Sequence, residues 1–193
     1  MFENLRKYDI ILASNSPRLR ELLARLGIEF KVFTLMGIEE CYPQGLTNEE
    51  VALHIAKSKA TAYQSYLKPN SMIITADTIV CLEDRILGKP ENTAQAQEML
   101  RALSGKEHSV VTAFTISTQE RYVQEVVTTT VKFAHLDNNV IDHYVTKYLP
   151  LDKAGSYGIQ EWIGLVAVEE IHGSFFNVMG LPIHRISQVL RDF

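Results

Sequence analysis

Cysteine is scarce in this chain, with two in 193 residues, Cys41 and Cys81, far apart in sequence. They belong to no metal-ligand or redox spacing, which excludes a disulfide framework and the zinc patterns built on paired cysteines. The expectation is two reduced thiols in a reducing compartment. An excess of positive charge is also lacking. Nineteen Lys and Arg stand against 23 Asp and Glu, a net charge of −4, and broad binding to nucleic acid needs a basic face that neutralises many phosphates. One small anion held by a local cluster stays compatible with that balance. No apolar run approaches the roughly 20 residues that cross a bilayer. Met1 to Tyr8 carries charges where a signal peptide has its apolar core. These absences predict a cytoplasmic protein with neither membrane nor nucleic acid as partner.

What is present is ordinary for a globular chain: 46% hydrophobic and 22% charged residues, enough to bury a core without staples. The length suits one domain or a compact two-lobed one, and neither repeat nor linker interrupts it. Asp9 to Ala13 reads as a short buried strand. After Ser14-Asn15-Ser16, Pro17 suits a first helical position, and Leu19, Leu22, Leu23 and Leu26 form one helical stripe that Gly27 ends. A second strand is predicted over 28–34. Thr47 and Glu50 make a capping-box pattern opening a helix over 47–67. Strands follow over 72–82 and 85–88, then a helix from Asn92 or Thr93 to Ser104-Gly105, then two β-rich stretches, 107–118 and 121–134. Asp137 caps a further helix that Leu149-Pro150-Leu151 stops. A Gly-rich loop over 152–160 leads to a strand around 162–171, and Pro182 opens a terminal helix. Helices interleaved with strands, plus a central hairpin, predict a mixed α/β (α+β) fold.

Several segments carry chemistry. Ser14-Asn15-Ser16-Pro17-Arg18 sets two hydroxyls and a guanidinium at a helix start, where backbone N–H groups and the positive dipole end favour an anion. The same residues also fit simple capping, with Ser16 as N-cap. Asp77, in Ala76-Asp77-Thr78, interrupts an apolar strand, and a carboxylate there needs a partner, a proton or a cation. It fits either an active-site acid or a strand-end residue facing solvent. Lys89, in Gly88-Lys89-Pro90, is a point charge suited to phosphate or a solvated turn residue. Ser104 and His108 read as structural. The loop 152–160 offers the charge of Lys153 and the two-way amide of Gln160, suited to a base edge, or is a surface loop. Gly173 to Pro182 reads as a strand turning into a helix.

Taken in order, Leu12 to Arg18, Ala76-Asp77-Thr78, Gly88-Lys89-Pro90, Ser104-Gly105 with His108, Asp152 to Gln160 and Gly180-Leu181-Pro182 resemble the Maf family of nucleoside triphosphate pyrophosphatases over nearly the whole chain. The resemblance implies a single domain over 1–193, with a long curved mixed sheet flanked by helices and a cleft between two lobes, often dimeric. It implies hydrolysis of the α–β phosphate bond of a nucleoside triphosphate with Mg²⁺ or Mn²⁺. Asp77 matches the family's proton acceptor. Ser14, Arg18, Lys59 and Lys89 match its polar and basic cleft residues, and Ser16 and Lys153 join them as substrate-binding candidates on the local reading of their loops. Glu40, in Gly37-Ile38-Glu39-Glu40, matches an acidic residue credited with activity or metal binding, beside Asp77. Arg18, Thr78 and Gln160 match the branch acting on dTTP and UTP. One position departs: the family's second arginine after the proline is here Leu19, on the apolar helix stripe. A regulatory nucleotide-binding role in cell division or septum formation is the alternative that the resemblance carries.

Overall fold

The computed structural model describes residues 2–38 and 40–193. Among these, seven strands form one mixed sheet in the order β2-β1-β3-β5-β6-β7, with β4 paired on β3, and seven α-helices join them. The chain divides into two compact units, Met1–Asp77 with Thr112–Val127 and Gly180–Phe193, and Thr78–Val111 with Thr128–Met179.

In the first unit, β1 (Asp9–Leu12) leads through the Ser14 loop into α1 (Pro17–Ala24) and β2 (Lys31–Val32). α2 (Asn48–Ala62) then returns the chain to β3 (Ser71–Leu82). β1 pairs in parallel with β2 on one side and with β3 on the other, Leu12 opposite Ile74. The connection from β1 runs outward to β2, and the next returns past β1 to β3 on its other side, which makes the carboxyl ends of β1 and β3 a topological switch point. Ligands of open α/β sheets bind at such points. The core here is built from Leu12, Leu22, Leu23, Ala56, Ile73, Ile74, Ile186 and Leu190, all 1% exposed or less. Thr75, buried in the same strand, satisfies its hydroxyl on Thr115 at 2.8 Å. Thr47 caps α2 with the full reciprocal box to Glu50. The helix is shorter than the sequence suggests and ends at Ala62, passing into a 3-10 turn at Gln64–Tyr66. β2 is likewise only two residues of the expected 28–34. α7 (Ile183–Arg191) closes this unit with Ile186, Val189 and Leu190 inward.

The second unit holds β4 (Arg85–Leu87), hairpinned onto β3 through Glu83 at φ 54°. α3 (Thr93–Leu103) is capped by Asn92, and α4 (Asn138–Tyr148) by Asp137. β5 (Glu107–Ser117) and β6 (Tyr122–Phe133) begin or end here, and β7 (Val168–His172) pairs antiparallel with β6. Two expectations fail in this unit. Residues 162–167, expected as strand, form α5 (Trp162–Ala167). Ile163 and Ala167 are buried while Leu165 is 84% exposed, so the run buries every fourth residue rather than every second, a difference that a short apolar stretch does not announce. Gly164 permits it, because a Cβ there would lie 1.8 Å from the Ile159 carbonyl oxygen. The expected strand after Gly173 is instead a four-residue helix, α6 (Phe175–Val178), capped by the Ser174 hydroxyl. Asn177 is fully buried, with its amide donating to Val110 O and Thr129 Oγ1. These bonds tie α6 to β5 and β6.

His108 is structural, as expected. It is 3% exposed, pairs through Nε2 with the Tyr157 hydroxyl at 2.7 Å and packs edge-on against Phe133. Burial lowers its pKa to about 4. The unfolded chain therefore binds the extra proton between pH 6.5 and 4, and stability present above that window is lost as pH falls through it. His108 should account for about 3 kcal/mol of that loss. Denaturant unfolding at pH 7 and pH 4.5 should show a smaller pH difference for His108→Phe than for the parent.

Candidate active site

The parallel register sets the Ser14–Arg18 loop and Asp77 at the same end of neighbouring strands. Ala13 N–H donates to Ile74 O at 2.9 Å, so the loop after β1 begins beside the residues that lead into Asp77. Ser16 takes the N-cap position of α1 without capping. Its backbone N–H instead donates to Ser14 Oγ at 3.2 Å, and its own buried hydroxyl has no hydrogen-bond partner among the described residues. With Pro17 at the first position, the helix start lacks a side-chain cap and keeps its affinity for an anion. Arg18 is half-buried at that end. Leu19, where the family has its second arginine, is 7% exposed on the stripe with Leu22 and Leu23.

Lys59 lies on the inward face of α2, one turn after Ile55 and Ala56, both buried. An ammonium on such a face needs a counter-charge. It has two. Nζ donates to Asp77 Oδ1 and lies 2.8 Å from Glu40 Oε1. The side chains of Lys59 and Asp77 are 18% and 13% exposed, and that of Glu40 is 49% exposed. Burial works against the charge on Lys59, but Asp77, and after it Glu40, outweigh that cost and raise its pKa above the ordinary lysine value. Lys59, Asp77 and Glu40 are thus brought together, as the resemblance implies. Glu39 lies outside the described residues.

One residue that the sequence does not single out holds this arrangement. Tyr63, one turn beyond Lys59 and 3% exposed, accepts the Leu35 N–H at 2.8 Å and donates to Phe33 O at 3.3 Å. α2 therefore grips the segment entering the Glu40 loop at one turn and Glu40 itself at the preceding one. The legible signal is spacing: Ile55, Lys59 and Tyr63 recur every four residues.

In the second unit, Thr78 is half-buried on β3 and Lys89 is exposed after β4. Gly155, at φ 67°, donates its N–H to Gly88 O at 3.1 Å and lies so close to Val80 that a Cβ would meet it at 2.9 Å. The 152–160 loop is thereby seated against the Lys89 turn. Lys153 does not offer a bare charge there. It is 7% exposed, with Nζ 2.7 Å from Asp152 Oδ1 and 3.1 Å from Glu161 Oε1. Gln160 is exposed.

Compared with known proteins, residues 9–193 match the family described as Maf-like protein. The chain belongs to that family. A dTTP/UTP pyrophosphatase of Phocaeicola vulgatus is 53% identical over 191 residues, covering 99% of each chain. One of Flavobacterium johnsoniae is 40% identical over 188 residues, covering 97% of this chain and 96% of the relative. A HAM1 protein from Coxiella burnetii shares the fold at 17% identity, with a TM-score of 0.51, over 96% of this chain and 100% of that one. Among the described residues, no helix is long and apolar enough to cross a membrane. Cys41 is exposed and Cys81 buried.

The Lys59–Asp77 pair should be energetically coupled. Lys59→Met leaves the Asp77 carboxylate mostly buried and should cost about 1–3 kcal/mol. Adding Asp77→Asn should recover part of that loss in a double-mutant cycle read by denaturant unfolding. Additive costs would show that the two side chains do not depend on each other.

Proposed function

We propose that this chain hydrolyses dTTP and UTP to the nucleoside monophosphate and pyrophosphate. The observation that supports the reading most is the pairing of a mostly buried Asp77 with Lys59 and Glu40, at the switch point where the uncapped start of α1 lies. The full-length likeness to relatives that carry this activity in their names supports the same choice.

Asp77 accepts the proton of the attacking water, which adds to the α-phosphorus while pyrophosphate leaves. Lys59 stays cationic in this range and balances the charge that builds on the phosphoryl oxygens, with Arg18 and Lys89 as further cations. Ser14, Ser16 and the α1 N-terminus hold phosphate oxygens. The hard oxygens of Asp77 and Glu40 converge on one ammonium, and a set of two carboxylates suits Mg²⁺ or Mn²⁺ completed by water and substrate oxygens. Among the described residues no cluster of three or more His, Cys, Asp or Glu stands ready to hold a metal. A bound divalent ion would supply Lewis-acid neutralisation of the triphosphate. Thr78 and Gln160 read the pyrimidine, since an amide that meets the wrong base is left unpaired. Lys153, ion-paired to Asp152 and Glu161, supports the loop and is not counted among the phosphate-binding cations. Residues 1–193 act as one functional domain.

Incubation with dTTP and Mg²⁺, with the products separated, should yield the monophosphate and pyrophosphate in equal amounts. Orthophosphate as the first product would reject the reaction. Asp77→Asn should lower turnover by roughly two to four powers of ten, the usual worth of a positioned base. Near-parental turnover would reject its role as proton acceptor.

A further inference from the structure

Gln160 is exposed, yet the residues on either side of it are held. The Tyr144 hydroxyl, buried on α4, donates to Glu161 Oε2 and accepts the Gly158 N–H at 3.1 Å. The other Glu161 oxygen, Oε1, takes Lys153 Nζ at 3.1 Å. A backbone bond from Glu161 N–H to Gly158 O at 2.9 Å closes the turn between them. Gln160 is the third residue of that turn, and both ends of the turn are fixed by side chains. Burial, and after it the Glu161 hydrogen bond, raises the Tyr144 pKa. The phenol therefore keeps its single proton, and that proton goes to Glu161.

Gly158 adds a steric condition. A Cβ there would meet Gln160 Nε2 at 2.8 Å, Glu161 Cδ at 3.0 Å and Lys153 Cε at 3.1 Å. The missing side chain is the space in which the Gln160 amide rests. All three neighbours are side-chain atoms, so an added methyl must displace the Gln160 amide or the Glu161–Lys153 pair beside it.

We propose that Tyr144, Glu161 and Gly158 are positioning residues that fix the Gln160 amide and so set the preference among nucleobases. The inference rests on the reading of Gln160 as the base-reading group. Tyr144 and Glu161 act only through Gln160: the first pins the backbone before it, the second the residue after it. Lys153 belongs to the same assembly, which explains why a lysine in a nucleotide-binding loop is turned inward onto two carboxylates.

The experiment measures kcat/KM for dTTP, UTP, dGTP and ATP with Mg²⁺, on Gln160→Ala, Tyr144→Phe, Gly158→Ala and the double variant Tyr144→Phe/Gln160→Ala. Thermal melting of each preparation verifies folding. Gln160→Ala, Tyr144→Phe and Gly158→Ala should each reduce the pyrimidine-over-purine ratio by roughly ten- to a hundredfold, the scale of a misplaced recognition group. The double variant should be no less selective than Gln160→Ala alone, because a residue that acts through Gln160 has nothing left to position. A loss of kcat/KM that is equal for all four nucleotides in Tyr144→Phe and Gly158→Ala would overturn the proposal, as would multiplying effects in the double variant. An unchanged ratio in Gln160→Ala would instead remove the base-reading role, and the proposal with it. Should Tyr144→Phe fail to fold, Gly158→Ala decides alone, because its contacts displace side chains only.

Discussion

The proposed chemistry depends on one ammonium held between two carboxylates. Burial works against the charge of Lys59 on the inward face of α2, and Asp77 and then Glu40 outweigh it, while a carboxylate in an apolar strand is costly unless it is paired or hydrogen-bonded. The pair sets a carboxylate oxygen and a positive charge side by side, which are the two kinds of group that the proposed attack of water on a phosphoryl group uses. Such a pair is not chiefly a device for stability. Taking two charges out of water offsets most of their attraction, and well-packed apolar residues often serve a core as well or better. A retained pair of this kind argues for a task beyond holding the fold together.

Topology decides where that pair can work. With β2 and β3 on opposite sides of β1, the carboxyl ends of β1 and β3 form the switch point. The Ser14–Arg18 loop and Asp77 both emerge there, one because it follows β1 and the other because it lies three residues beyond the last β3 residue paired to β1. Pro17 removes one donor from the helix start, and Ser16 declines to cap it. What remains is a set of backbone dipoles at the helix start, with the half-buried Arg18 in its first turn. A preference for an anion at this end then follows from the backbone before any particular side chain is added.

Much of this was legible in the sequence, and the failures share a cause. Strands and helices with strong local signals, such as the capping box at Thr47 and Glu50, the Leu stripe of α1 and the apolar run of β3, have matching elements in the structure. Residues 162–167 misled because six apolar residues with one glycine fit a buried strand or a short helix equally. Only the contact of Gly164 with Ile159 separates the two. Ser16 misleads because its place in the chain is that of a cap, while its buried hydroxyl makes no capping bond. Lys153 was read as offered charge because its two carboxylates, Asp152 beside it and Glu161 eight residues on, read as ordinary loop residues until the turn closes. Asp77 was visible as an oddity in an apolar strand. That its partner is Lys59, eighteen residues earlier, no pattern announces; the resemblance names Lys59 only as one of several basic cleft residues. Tyr63 and Tyr144 stayed hidden because an aromatic on a buried helix face looks like core, and its hydroxyl reveals a second purpose only when the partners are known.

Leu19 shows how packing and charge are reconciled at the phosphate-facing end. Its position belongs to the α1 stripe, between the loop and Leu22-Leu23, and at 7% exposure it faces apolar neighbours. A guanidinium held there would have to stretch away from the core to reach solvent, at a cost in both packing and entropy. One residue further on, Arg20 is exposed and its Nη2 donates back to Asn15 Oδ1 at 3.5 Å. The loop therefore keeps a second guanidinium beside it, displaced by one helical position, while the stripe gains an uninterrupted apolar face. Positive charge near a helix start works against the dipole, so two arginines gathered there are explained by an anionic ligand better than by the stability of α1.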